Sequence, residues 1–398
     1  MADKRLAAEQ SFMAALKETI RTNMRQYTMI AALLIIWVIF SSLTNGLFLT
    51  PRNLSNLFLQ MVTIGIMTSG MMMVMVTCHI DLSVGSLCGT LGACVAFLMV
   101  NMGLSPFITI PITLILGLCV GAWHGYWVAF RGVPGFIVTL ASMIAFKGVT
   151  LLVTNGKTIG EFPPFFKSIG QGYIPRLFSS EGSPHDLTII IFAVLLLAFL
   201  VSNMRRRSKR IKNGFVVLPM SLEILKMVIV SAGIIAVCLI LASWRGIPYA
   251  MLVLGCTVSI FIVITTRTPF GRHVYAVGGN LEAAKLSGID TKKTLFVVFL
   301  LQGLLVSIAA TVFTARLNAA TVSAGTLFEL ETIAGCIIGG TSTTGGIGTV
   351  FGAIIGALVM ASLDNGMSLM NVPIMWQYMV KGAILLFAVW VDLAIKQK

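Results

Sequence analysis

Residues 186–213 read DLTIIIFAVLLLAFLVSNMRRRSKRIKN. The first part, 186–203, is apolar apart from its opening Asp186. The second part packs Arg205, Arg206, Arg207, Lys209, Arg210 and Lys212 into one short segment. A hydrocarbon core of about 30 Å is crossed by about 20 apolar residues in a helix, which satisfies its own backbone hydrogen bonds. Cations collect at the cytoplasmic ends of such helices. The stretch therefore reads as a membrane crossing that ends in the cytoplasm.

The pattern recurs along the chain. Further apolar runs cover 28–44, 58–77, 86–101, 106–129, 135–153, 224–243, 249–265, 294–313, 347–363 and 373–390, and a shorter piece, 331–340, precedes a Gly/Thr break. The expected fold is an all-α polytopic membrane protein with ten to twelve transmembrane segments, some discontinuous. Composition agrees: of 398 residues, 57% are hydrophobic and 11% charged, where a soluble domain carries about 25% charged. Mean hydropathy is +0.95. A soluble domain and a disordered chain are both excluded. The net charge of +14 sits in short segments between apolar runs, so it marks membrane orientation and not a nucleic-acid surface. The seven cysteines lie in or beside apolar runs, without a C-x-x-C, and read as small buried hydrophobes.

Three basic segments fall on one side by alternation. They are the start, with Lys4, Arg5, Lys17, Arg21 and Arg25, the cluster at 205–212, and 266–293 with Arg267, Arg272, Lys285, Lys292 and Lys293. The positive-inside rule makes that side cytoplasmic, and the link 154–185 then lies outside. The expected layout is a cytoplasmic segment 1–26 with no cleavage pattern, a membrane domain 27–392 containing the cytoplasmic loop 268–293, and a cytoplasmic tail 393–398 with Lys396 and Lys398. Eleven runs give an odd count, whereas a cytoplasmic tail needs an even one. Either 331–340 or the region 78–85 must count differently.

Those two places resemble each other. MTSGMMMVMVTCHIDLSVGSLCGTLGACVAF and LETIAGCIIGGTSTTGGIGTVFGAIIGALVM each run from an apolar segment through a Gly-rich polar break into a small-residue helix, roughly 260 residues apart. A two-fold internal repeat follows, and transporters built from such repeats place solute at broken helices. The candidate path or helix-break residues are therefore Asp81, Ser83, Gly85, Glu331, Gly339, Gly340, Thr341, Gly345, Gly346, Asp364 and Asn365. Asp81 either caps a helix starting near Ser83 or meets solute. Gly117, Gly121 and Gly125 form one stripe, Gly348, Gly352 and Gly356 another, and these serve close packing, a solute path, or both. Lys147, His124 and Glu329 are further polar groups at membrane depth. Trp123, Trp127 and Trp376 read as interfacial anchors or as platforms for a sugar ring. Neither a metal-ligand spacing nor a P-loop nor a nucleophile elbow occurs in the sequence, so the chain reads as a transport component and not an enzyme.

The segment 268–293, TPFGRHVYAVGGNLEAAKLSGIDTKK, is the most informative polar stretch. A turn at Gly278–Gly279–Asn280 leads into a short helix over 281–286, with Asn280 as N-cap, Glu282 in the first turn and Gly288 as stop. Such a helix between two spans can pass a partner's push into them. The run Glu282–Gly288, EAAKLSG, resembles the E-A-A-x-x-x-G loop of permease subunits in bacterial ABC importers. With IDLSVGS, FIVTLASM, ETIAGCIIGGTSTTGGIGTVFGA and LDNGMSLMNVPIMWQYMVKGAILLFAVWVD, residues 50–392 resemble the ribose/xylose-type branch of sugar permeases, nearest its xylose and arabinose/galactose members.

The resemblance implies an inner-membrane, multi-pass permease that works as a homodimer. It implies a cytoplasmic ATPase with two nucleotide-binding domains, which would hold the ATP and Mg, and a periplasmic sugar-binding protein. No cofactor is expected in this chain. Coupling would fall to Gly279, Asn280, Glu282, Ala283, Ala284, Gly288 and Ile289, the loop lacking the proline that follows some versions of the motif. An ion-coupled secondary transporter relaying through Asp81, Glu331 and Asp364, and a passive channel, are the rival readings.

Overall fold

Helix α1 spans Met24–Leu43 and α2 spans Pro51–Val76. The computed structural model describes residues 24–178, 184–215, 217 and 219–396. Most of the expected cytoplasmic start and the last two residues of the tail therefore lie outside the described residues. After α2 come α3 (Val84–Ala96, prolonged by a π-turn over Phe97–Asn101), α4 (Pro106–Gly125, prolonged over Tyr126–Phe130) and α5 (Gly135–Thr154). Next are α6 (Pro164–Gln171), α7 (Asp186–Lys212), α8 (Met220–Ala242) and α9 (Tyr249–Arg267). The chain closes with α10 (Pro269–Gly279), α11 (Leu281–Leu286), α12 (Thr291–Leu317), α13 (Phe328–Ile338), α14 (Val350–Leu369) and α15 (Ile374–Lys396). A two-residue antiparallel pair, β1 (Ile159–Gly160) with β2 (Ala319–Ala320), is the one exception to an all-helical fold among the described residues.

Ten described helices are long and apolar enough to cross a membrane, and Thr28–Leu43 is a shorter apolar helix. The two candidate regions differ in form. The eleven-residue α13 is followed by the non-helical segment 339–349, which meets the close of α2 and Gly278 of α10 through Gly345 and Gly346. The region 77–83 is instead a short gap between two full-length helices. Two helix–gap–helix units, α2–α3 and α13–α14, thus recur with their gaps in contact, as a two-fold repeat requires.

Contact clustering divides the chain into two units. One consists mainly of Tyr173–Ile247 and holds the α7–α8 hairpin. Asn203 on α7 donates to Glu223 on α8 at 2.9 Å. His185 starts α7, accepting from the Thr188 N–H through Nδ1 while Nε2 meets the Ile174 carbonyl at 3.1 Å. The helix continues through the basic cluster to Lys212, beyond the apolar run, so its cations ride on a helical extension.

The other unit holds Met29–Leu49, Asn56–Gly172 and Pro248–Lys398. Its centre is α2, whose apolar window is 94% buried, while that of α15 is 0% buried. Met67, Met71, Met72, Met73 and Met75 fill the interior around α2. Within lipid there is no hydrophobic gain from joining two apolar helices, so close backbone packing does the work. On α4, Gly117 and Gly121 face Gly303 of α12, where a Cβ on Gly303 would strike the Gly117 carbonyl. On α13 and α14, Gly335 meets Gly356 and Gly339 meets Gly352 in the same way. Both glycine stripes of the sequence are therefore packing surfaces, and Gly85 and Gly89 of α3 do the same for the backbone at 324–325.

Candidate functional site

Helix α2 connects two polar places, one at its C-terminal end and one at its middle. At Val76 the helix stops, and Gly346 donates its N–H to the Val76 carbonyl at 2.9 Å. Gly278 of α10 lies so close to the same oxygen that a Cβ would collide with it. Cys78 turns its thiol to the Thr344 carbonyl at 3.1 Å. Tyr275 of α10 donates to the Gly348 carbonyl at 2.8 Å. Burial pushes the Tyr275 phenol above its ordinary range, so it remains a donor at neutral pH. Gly345 and Gly346 have φ of +85° and +72°, where a side chain is strained. The end of α2, the helix α10 and the break 339–349 thus form one junction of backbone against backbone.

Helix α11 hangs from this junction. Asn280 ends α10 and caps α11, its Oδ1 accepting from the Ala283 N–H at 2.9 Å. The stretch before it, 269–279, is helical where the sequence suggests a turn only, because Thr268 caps it and Pro269 takes its first position. Ala284 is buried with Ala129, Val277 and Leu295, with Ile289 packed beside them. Gly288 reverses the chain at φ +79°. Ala283 and Gly279 are exposed, and Glu282 pairs with Lys285 at 2.8 Å on the outer face. Leu286 is 90% exposed at the tip. The helix is thus gripped by one face and free on the other.

The second place lies at the middle of α2, about 20 Å away at 1.5 Å per residue from Thr63 to Val76. Gln60 and Thr63 of α2 line a cavity of ≈ 340 Å³ with Arg316 of α12, Glu331 of α13, Asp364 of α14 and Lys381 of α15. Lys381 Nζ lies 2.6 Å from Glu331 and 2.9 Å from Asp364. One lysine on the least buried helix therefore ties together the broken helix and its partner. Removing either sign would leave an uncompensated buried charge. The lining thus holds two carboxylates and two basic side chains.

The sequence candidates separate into groups. Glu331 and Asp364 are brought together at the cavity. Gly339, Gly340, Thr341, Gly345 and Gly346 build the break that ends at the junction. Asp81 is 2% exposed, and it accepts from the Ser83 N–H and hydroxyl at 2.8 and 2.6 Å just before α3. Asp81, Ser83, Gly85 and the buried Asn365 do not line the cavity. His124 is bound to Ser142 at 2.9 Å, and Trp123 and Trp376 are exposed. Lys381, Arg316, Gln60 and Thr63 are not singled out by sequence reasoning. A lysine inside the apolar run 373–390 is a usable signal for Lys381, since charge at membrane depth is costly. Nothing comparable marks Thr63.

Residues 53–389 match the protein family described as "Branched-chain amino acid transport system / permease component". The chain belongs to this family of transport permeases. The permease is 44% identical over 376 residues to the "Xylose transport system permease protein XylH" of Escherichia coli (strain K12), covering 94% of this chain and 93% of that one. It is 43% identical over 377 residues to the protein of that name from Haemophilus influenzae, with 94% and 98% covered. Against the "Ribose import permease protein RbsC" of Escherichia coli (strain K12) it is 32% identical over 369 residues, with 93% and 94% covered. No solved structure matches it. The permease is a multi-pass inner-membrane component of an ABC-type transport system, and a transport subunit in place of an enzyme. This sets aside the ion-coupled secondary transporter. Among the described residues no group of three or more His, Cys, Asp or Glu is placed to hold a metal ion.

Proposed function

We propose that the permease carries a monosaccharide, xylose or a related aldose such as arabinose or galactose, into the cytoplasm by alternating access. A periplasmic binding protein delivers the sugar. A cytoplasmic ATPase with two nucleotide-binding domains supplies ATP and Mg, and a second permease copy completes the membrane part. The names of the relatives, a xylose and a ribose permease, support the sugar class. The ATPase grips residues 279–289. Leu286 at 90% exposure enters its groove, Glu282 and Ala283 lie on the docking face, and Ala284 and Ile289 hold the helix to the permease.

The observation that carries the proposal is the junction. Gly278 touches Val76, and Val76 accepts from Gly346. A displacement of α11 therefore reaches the end of α2 and the break 339–349 without passing through a flexible side chain. Closing the ATPase would tilt α10, and the two broken elements would shift together.

Sugar uptake by proteoliposomes holding permease, ATPase and binding protein tests this reading. Glu282→Lys is expected to abolish ATP-driven uptake while leaving the protein inserted. Full uptake with normal ATPase stimulation in that variant contradicts it, as does wild-type uptake that needs an ion gradient and no ATPase.

A further inference from the structure

We propose that the cavity beside Lys381 is a binding site for a neutral sugar within the permease itself, occupied between delivery and release. This rests on the sugar-importer reading above and adds where the sugar is held.

Position is the first support. The lining residues come from the middle of α2, the ends of α12 and α14 away from Thr291 and Val350, and the first turns of α13 and α15, so the cavity is remote from the docking helix. Capacity is the second. A volume of ≈ 340 Å³ falls in the range of about 300–1,000 Å³ for small-molecule sites.

Chemistry is the third. A sugar hydroxyl both donates and accepts, so its site needs both functions and no net charge. Glu331 and Asp364 accept, Arg316 and Lys381 donate, and Gln60 does both. The lining also holds polar groups that the protein does not satisfy. Thr63 is 1% exposed, and its Oγ1 has no hydrogen-bond partner among the described residues. The Nε of Arg316 has none either. Buried polar atoms are normally paired, because an unpaired one loses its water without compensation. Two of them on one cavity wall fit a ligand that supplies the missing partners.

The same lining disfavours charged solutes. A sugar phosphate would face Glu331 and Asp364. An amino acid would set its own carboxylate against the same two, and its ammonium group would compete with Lys381, which pairs with both at 2.6 and 2.9 Å.

Thr63→Val and Gln60→Leu, each in the complete importer, test the site. Thr63→Val removes an unpaired hydroxyl at constant shape. It is expected to keep or raise the melting temperature of the permease while lowering xylose uptake about tenfold, one hydrogen bond's worth, with ATPase stimulation by the binding protein retained. Gln60→Leu is expected to lower uptake similarly. In a second measurement, Thr326→Cys at the exposed rim is labelled with a maleimide after the exposed Cys78, Cys119 and Cys256 are replaced by serine. D-xylose is expected to slow labelling at millimolar concentration, whereas leucine and xylose 5-phosphate do not. Wild-type uptake and KM in both variants, or labelling that xylose leaves unchanged, overturn the proposal. Protection by leucine and not by xylose overturns it in favour of an amino-acid site. A wild-type importer that takes up no sugar at all overturns the importer reading instead. If Thr63→Val fails to fold, Gln60→Leu and the labelling decide.

Discussion

Helix α2 meets its neighbours in two different ways. Near Val76 it touches them through backbone: a carbonyl receiving a glycine N–H, a second glycine pressed against the same oxygen, and a thiol on a neighbouring carbonyl. Near Thr63 it touches them through side chains, around a cavity in which Lys381 holds two carboxylates. Backbone contacts with no intervening side chain have little room to give, because interiors are close-packed. Side-chain contacts around a void can rearrange by changing rotamer. In the proposed mechanism these two places have different parts: one passes a displacement on, and the other changes shape when the displacement arrives.

The sharpest way to break this contrast is at the cavity. Lys381→Met leaves the buried Glu331 and the half-buried Asp364 as neighbouring unpaired carboxylates, and a loss of up to about 3 kcal/mol is expected. Thermal denaturation of the detergent-solubilised permease measures it. Adding Glu331→Gln and Asp364→Asn should restore most of the loss, since the penalty is an unpaired charge and not a missing shape. No recovery would mean that the ion pairs do not govern this end.

Gly278→Ala probes the other end. The added methyl meets the Val76 carbonyl, and overpacking of this kind costs about 1–3 kcal/mol. The functional effect should exceed the stability effect, with ATP-driven uptake falling at least tenfold. A variant as unstable as this but with normal uptake would show that the junction only holds the fold.

Asn280→Ala removes the cap of α11 and should cost about 1 kcal/mol, while weakening ATPase binding measured by co-purification. Replacing Glu282 by Ala should change stability least, within about 1 kcal/mol, because its pair with Lys285 is exposed. These two variants separate the helix's own formation from its outer face. Equal losses of ATPase binding in both would place the contact on that face.

Much of the frame is legible in the sequence because a bilayer imposes length and polarity on every crossing. The apolar runs find the spans, although α2 begins seven residues earlier, α7 runs on through the basic cluster and α14 ends six residues later, and Asn280, Leu281–Leu286 and Gly288 fall where capping chemistry puts them. The glycine stripes of α4 and α14 announce close packing. Two things escape. The helix 269–279 is hidden by the glycine pair at its end, Gly278 and Gly279, which is there for contact with Val76 and the break and not for a turn. The cavity is assembled from α2, α12, α13, α14 and α15, and no local pattern links Gln60 or Thr63 to Lys381 more than 300 positions later. Glu331 and Asp364 stand out as isolated charges, yet their shared partner lies on a third helix, and only the fold brings the three together.

The central claim is that a push on α11 reaches the cavity through Gly278 and Val76. Ser368, exposed at the cavity rim, can be made Ser368→Cys after the exposed Cys78, Cys119 and Cys256 are replaced by serine. Its maleimide labelling rate is then followed in the assembled importer as ATP binds the ATPase. The account predicts a clear ATP-dependent change with Gly278 present and none in Gly278→Ala, although ATP still binds. The same ATP-dependent change in both would contradict it.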